Sequence, residues 1–193
     1  MNKKLPLLFA IVAMIVFLPT DVFAYNLFGY KLTNGVGNWG KNRQYYYVHD
    51  SAKTYYKPLI KGAWDTWIHS SHIVSTPISF RETTNKKSAV VELASFSNND
   101  SKHQYVAITS FFRYQKEVEP WESNWGWAKI DLNRFYMKNH LKADQQGTIA
   151  HEIGHAMGLA HNGDSFSIMC PLAGGRKTAR PLRDDYEGIN VLY

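Results

Sequence analysis

Apolar positions along the chain change their spacing several times, and each change marks an element. Residues 45–48 read Tyr-Tyr-Tyr-Val, the aromatic and β-branched composition of a strand. From about residue 54 to residue 70, Leu59, Ile60, Ala63, Trp64, Trp67 and Ile68 recur with helical period, which predicts an amphipathic helix carrying Pro58 near its first turn. Short apolar runs at 77–80, 89–93 and 106–112 predict strands, and residues 128–132 alternate apolar and polar as a half-buried strand should. A second helix is predicted next, with Asp144 as its N-cap and Ile149, Ile153, Ala156 and Met157 at helical spacing. Beyond Gly158 the chain reads as loop until a final helix in 183–193. This mixture predicts an α+β domain. No repeat, low-complexity tract or linker divides it.

The first residues carry a different pattern. Lys3 and Lys4 precede an apolar stretch from Leu5 to Leu18, and Val22-Phe23-Ala24 offers small residues at cleavage positions. That order predicts a signal peptide over 1–24, a mature domain over 25–193 and a secreted, extracellular protein. The stretch is short against the roughly 20 apolar residues of a transmembrane helix, so no membrane span is expected in the mature form.

Charge and cysteine content narrow the partners. The formal charge is +6, and loss of Lys3, Lys4 and Asp21 with the leader lowers it by one. A basic secreted protein is drawn to anionic cell surfaces, although the same charge can serve solubility alone. No arginine-rich helix or basic–aromatic motif points to nucleic acid. Cys170 is the single cysteine, so no disulfide forms within the chain and stability rests on the core. A monomer is expected.

The chemistry concentrates in His151-Glu152-Ile153-Gly154-His155-Ala156-Met157-Gly158-Leu159-Ala160-His161. Residues four apart share a helix face, so His151 and His155 can aim two imidazoles at one point, with Glu152 beside it. Ile149, Ile153, Ala156 and Met157 fall roughly opposite, which predicts one core face and one metal face. Gly158 lets the chain leave the helix through a left-handed turn and return His161 as a third ligand. Three histidines with an open fourth position form a catalytic zinc site rather than a structural one. In such a site Glu152 takes the proton of a zinc-activated water and passes it to the leaving amine.

The run matches HExxHxxGxxH, so the chain resembles the metzincins, whose zinc helix is followed by a methionine-containing turn. Ser167-Ile168-Met169-Cys170-Pro171 is similar to the matrixin branch in particular, and the final segment Arg183-Asp184-Asp185-Tyr186-Glu187-Gly188-Ile189-Asn190-Val191-Leu192-Tyr193 is similar to the matrixin C-terminal helix. The resemblance implies a secreted, bacterial-type matrixin-like catalytic domain. Its fold would be a twisted, mostly parallel sheet with two long helices, a Met-turn at Met169 and a C-terminal helix. It implies a zinc metalloendopeptidase with one catalytic Zn2+ on His151, His155 and His161, Glu152 as general base and a polypeptide substrate. Leu172 and Ala173 would wall the S1′ site, and the substrate would lie extended along an edge strand. Pro171 stands where astacin-like and serralysin-like enzymes place a ligating tyrosine.

Other positions carry weaker chemistry. His69 and His72 lack a third ligand at metal spacing and are expected to be exposed, and His49, His103 and His140 are isolated. The histidine–aspartate loop through which matrixins bind a second zinc is not found. Asn98-Asn99-Asp100 lacks the ligand spacing and glycine of a calcium loop, which leaves Ca2+ without support and favours a solvated turn. Trp121, Trp125 and Trp127 can be core or an exposed platform for substrate or glycan. Cys170, next to the methionine, is expected to be a small buried hydrophobe. Two rival functions remain open in the sequence: a zinc-binding adhesion module, against which the intact Glu152 speaks, and a zinc hydrolase of non-peptide bonds.

Overall fold

The computed structural model describes residues 25–193; the predicted signal peptide lies outside the described residues. Twelve elements follow in order: β1 (Asn26–Leu27), β2 (Gln44–Val48), α1 (Asp50–Ile68), β3 (Phe80–Glu82), β4 (Val91–Phe96), β5 (Ala107–Arg113), β6 (Lys116–Val118), β7 (Trp127–Asn133), α2 (Arg134–Met137), α3 (Lys142–Met157), β8 (Leu159–Ala160) and α4 (Arg183–Leu192). Six strands form one sheet in the order β3-β2-β4-β7-β5-β6. The first four are mutually parallel, and β5 runs antiparallel to β7 and hairpins into β6. The fold is therefore α+β with a mostly parallel sheet, two long helices and a C-terminal helix. No helix among the described residues is long and apolar enough to cross a membrane.

Burial follows from position in the sheet. Strand β4 has parallel neighbours on both sides, and its Val91 and Leu93 are fully buried. Helix α1 covers the sheet with an aromatic stripe. Trp64 stacks on Tyr46 of β2 with centroids 4.6 Å apart and meets Phe80 of β3 at the same distance. One turn on, Trp67 reaches α3 and donates its indole N–H to the Ala150 carbonyl at 2.9 Å. Burying two tryptophans completely is worth about 4–6 kcal/mol each by area, as an upper bound.

Several boundaries differ from the sequence pattern. Helix α1 begins at Asp50, which puts Pro58 in its interior rather than its first turn. The helix continues because Pro58 and Thr54 are both exposed, so the Thr54 carbonyl that loses its intrahelical donor faces water. Strand pairing in the 77–80 run starts only at Phe80. Upstream, the Pro77 carbonyl accepts from Trp39 N and the Ser79 N–H donates to Val36, so most of this stretch bonds to a loop, and only the Ser79 carbonyl reaches β2, accepting from Gln44 N–H at 2.9 Å. Strands β1, β6 and β8 and the short helix α2 have too few residues to show a period.

Candidate metal centre and active site

Helix α3 carries the centre, and it is buried almost all round: from Gln145 to Met157 only Gln146 keeps appreciable exposure. The prediction of one core face and one metal face is thus half of the picture, because the metal face is roofed by other elements. The N-cap is Leu141, without a side-chain cap bond. Asp144 falls inside the first turn instead, where its carboxylate favours the positive end of the helix dipole. At the other end Gly158 has φ 113° and ψ 3°, and its N–H returns to the His155 carbonyl at 2.9 Å. A Cβ there would stand 2.8 Å from Leu192 Cδ1 and 3.2 Å from the Tyr30 carbonyl, so both the backbone angle and the space require glycine. The chain then forms β8, which pairs antiparallel with β1. Asn26 Nδ2 donates to the His161 carbonyl at 2.9 Å, and Phe28 N–H donates to the Gly158 carbonyl. A segment from the start of the described chain thereby holds the turn that delivers the third histidine.

The three imidazoles converge. Their ligand nitrogens lie within 4.8 Å of one another, and Nε2 of His151 and His161 are 3.1 Å apart. Nδ1 of His151 lies 2.7 Å from the Ile168 carbonyl, and Nδ1 of His155 lies 2.8 Å from the Leu159 carbonyl. A carbonyl only accepts, so each Nδ1 carries the hydrogen and each Nε2 presents a lone pair. Burial holds His155 down to about 4, and burial together with the neighbouring His155 holds His151 well below the ordinary imidazole value; burial also lowers His161. All three are neutral donors at neutral pH. Tetrahedral zinc with nitrogens at about 2.0–2.1 Å has ligands roughly 3.3–3.4 Å apart, close to the observed 3.1 Å. The residues present therefore fit a zinc ion.

Glu152 stands beside the cluster, buried, with Oε2 2.7 Å from the Thr109 hydroxyl of β5. Burial raises its carboxyl to about 7, against the opposing effects of the Thr109 hydrogen bond and the charge of Arg176. A carboxylate near that value both accepts and releases protons at neutral pH.

Met169 is 1% exposed, with its thioether packed on Gly154 of α3, the residue before His155. Any side chain at Gly154 would collide with Met169 Sδ and approach Trp67 Cζ2 to 3.2 Å, which explains a glycine between the first two histidines. The turn is tied to α4: Ser167 Oγ donates to Asp185 Oδ1 at 2.5 Å, and Ile168 N–H donates to Asp185 Oδ2 at 3.1 Å. The Leu182 N–H donates to the same Oδ2 at 2.8 Å, so Asp185 caps its own helix and anchors the methionine turn together. Because Ile168 also receives His151, Asp185 reaches the first histidine through one residue. Thr109, Gly154 and Asp185 escaped the sequence reading. Thr109 shares its hydroxyl chemistry with the adjacent Ser110 in the same strand, so residue type does not single it out, and the offset of Asp185 from Leu182 is ordinary capping spacing.

The remaining candidates separate. Cys170 is 1% exposed, with Sγ 3.6 Å from the Pro171 and Gly174 carbonyls. His69 and His72 are exposed, and among the described residues they join no group of three metal-ligating side chains. His49 is not isolated: its Nε2 meets Glu92 Oε2 at 3.0 Å. His103 likewise bonds Asp100 Oδ1, inside a turn where Asn98 and Asp100 bond one another. The tryptophans divide, with Trp125 buried and bonded to the Ala156 carbonyl, Trp127 stacked on Phe112, and Trp121 60% exposed at the mouth of the cleft.

Comparison with known proteins agrees with this geometry. The matrixin family of peptidases matches residues 38–193. The chain belongs to the matrixin family. Among matrixin relatives, human neutrophil collagenase is 24% identical over 172 residues, covering 86% of this chain and 35% of the collagenase. Metalloendoproteinase 5-MMP of Arabidopsis thaliana is 32% identical over 73 residues, 37% of this chain and 20% of that protein. The 72 kDa type IV collagenase of Gallus gallus is 48% identical over 44 residues, 23% of this chain and 7% of that protein. This chain thus spans about a third or less of the length of these curated relatives.

Proposed function

We propose that the protein is a secreted zinc metalloendopeptidase whose metal is held by His151, His155 and His161 and whose general base is Glu152. The observation that carries this reading is the arrangement of the two buried imidazoles. Main-chain carbonyls occupy their Nδ1 hydrogens, leaving two lone pairs and that of His161 aimed at one point beside a carboxylate. When bound there, zinc supplies Lewis acidity that acidifies water and polarises a carbonyl.

The chain's own groups do the rest. Thr109 orients Glu152 Oε2, leaving Oε1 to accept a proton from water and return it to the departing amine. Substrate backbone has a place to bind. Strand β6 covers β5 only from Phe111 to Arg113, so on that side, among the described residues, Ala107–Ser110 lines the cleft without a partner strand. An extended polypeptide can add there as a further strand. Phe28 and Trp121 close the cleft on the His155 side. The lysines and apolar run ahead of Ala24 support secretion, and cleavage there would leave Tyr25 just before β1.

Peptide-library digestion with and without chelator tests the activity, with cleavage expected to disappear on chelation and return with zinc. Metal analysis tests the ligands: about one zinc per chain in the wild type, largely lost in His155→Ala. Zinc fully retained in that variant would move the site elsewhere. N-terminal sequencing of exported protein should begin at Tyr25. Hydrolysis confined to non-peptide polymers, or zinc without any turnover, would replace the peptidase reading.

A further inference from the structure

Arg176, in the loop between the methionine turn and α4, is a charged side chain withdrawn from water, with 8% of its surface exposed. Its Nη2 donates to Thr148 Oγ1 at 3.1 Å, whereas its buried Nε has no partner. Among the described residues no ion pair reaches it; Asp144 and Glu152 act on it only through their field. The side chain is laid close over α3: a Cβ on Gly147 would stand 3.3 Å from Nη2 and 2.9 Å from Ala179 Cα. Arg176 and Thr148 line the same cleft as the three histidines and Glu152, a cavity of about 660 Å³ whose nearby wall is the apolar Pro171, Leu172 and Ala173.

A guanidinium in such a place lacks what its burial demands. Desolvating a cation is costly unless a counter-charge or full hydrogen bonding compensates. Here one donor is satisfied by a hydroxyl and another by nothing. The planar fork of an arginine matches a carboxylate in shape as well as charge. We infer that Arg176 is a specificity-determining residue that receives the carboxylate of an acidic substrate side chain adjacent to the scissile bond. This inference rests on the endopeptidase reading above for the word substrate, but the pocket and its ligand chemistry do not depend on turnover.

The test uses one cleaved peptide varied only at the residues flanking the cut, with Glu, Asp, Gln, Leu or Lys at each. For the zinc-loaded wild type, kcat/KM with the better acidic residue should exceed that with Gln by about tenfold or more, with Lys poorest. Arg176→Met should bring acidic and amide peptides within about threefold of one another, and Arg176→Lys should keep part of the preference. A second measurement is calorimetric binding of the same peptides to Glu152→Ala, which keeps Arg176 and Thr148 and needs no turnover, compared with Glu152→Ala/Arg176→Met as its control. Equal handling of Glu, Gln and Leu by the wild type in both measurements would overturn the inference, as would a preference unchanged in Arg176→Met. Should Arg176→Met fail to fold, the wild-type ranking and the Arg176→Lys variant decide alone. Selective binding of acidic peptides without any cleavage would keep the pocket and remove the endopeptidase reading; cleavage without acidic preference would do the reverse.

Discussion

Helices α1 and α3 pack against one another, and they achieve burial by opposite routes. Along α1, Ala52, Tyr56, Ile60, Ala63, Trp64 and Trp67 form one buried stripe while the opposite face stays in water. Periodicity alone locates such a helix. In α3 polar and apolar residues are buried alike, and Thr148, His151, Glu152 and His155 each have a hydrogen-bond partner supplied by another part of the chain. Polarity there marks chemistry rather than exposure. A helix that solves only a packing problem can be read from its own sequence. One that solves a chemical problem borrows its partners from β5, β8 and the methionine turn.

That contrast can be broken by substitution. The largest effect should come from Glu152→Ala on α3, where kcat/KM for peptide cleavage is expected to fall by on the order of 10²–10⁴-fold while zinc content and the unfolding midpoint hold. Undiminished turnover would remove the general base, and loss of zinc would give Glu152 a structural role. On α1, Trp64→Ala should cost about 3–5 kcal/mol in denaturant unfolding yet leave zinc stoichiometry at about one per folded chain. Zinc loss in the folded variant would show that the two helices are not separable in this way. Under α3, Met169→Leu nearly conserves volume and should cost less than about 1.5 kcal/mol, with zinc retained, because the thioether packs on Gly154 as a floor and is not a ligand. Abolished zinc binding would contradict that. The smallest effect belongs to the solvent face of α1, where the exposed Lys61 pairs with the half-buried Asp65 at 2.5 Å. Lys61→Ala should change stability by less than about 0.5 kcal/mol at moderate salt, and a larger loss would mean that this face is not simply solvated.

Legibility in the sequence follows the same division. The long helices and the strands β2, β4, β5 and β7 could be read because each is long enough to show a period, with errors of a few residues at the ends. The late start of β3 follows from the loop at Val36 and Trp39, which takes the Ser79 N–H and the Pro77 carbonyl, a contact that the local pattern does not carry. The histidine run could be read because His151 and His155 are one helical turn apart and His161 follows within six residues. Thr109, 43 residues from Glu152, and Arg176, 28 residues from Thr148, carry no local mark of these contacts. Asp185 is similar, since its capping bond is local but its hold on Ser167 and Ile168 is a contact across 17 or 18 residues.

By itself the sequence determined the α+β class, the spacing that lets His151, His155 and His161 meet, the glycine that turns the chain between them and the methionine that follows. These depend on backbone geometry over a few residues, which local sequence dictates. Only the tertiary structure decided which nitrogen of each buried imidazole is free, what holds Glu152, which part of β5 is left uncovered by β6 and that a buried arginine with no ion pair among the described residues lines the cleft. Those outcomes depend on burial and on partners brought from distant segments, and neither is encoded in the order of neighbouring residues.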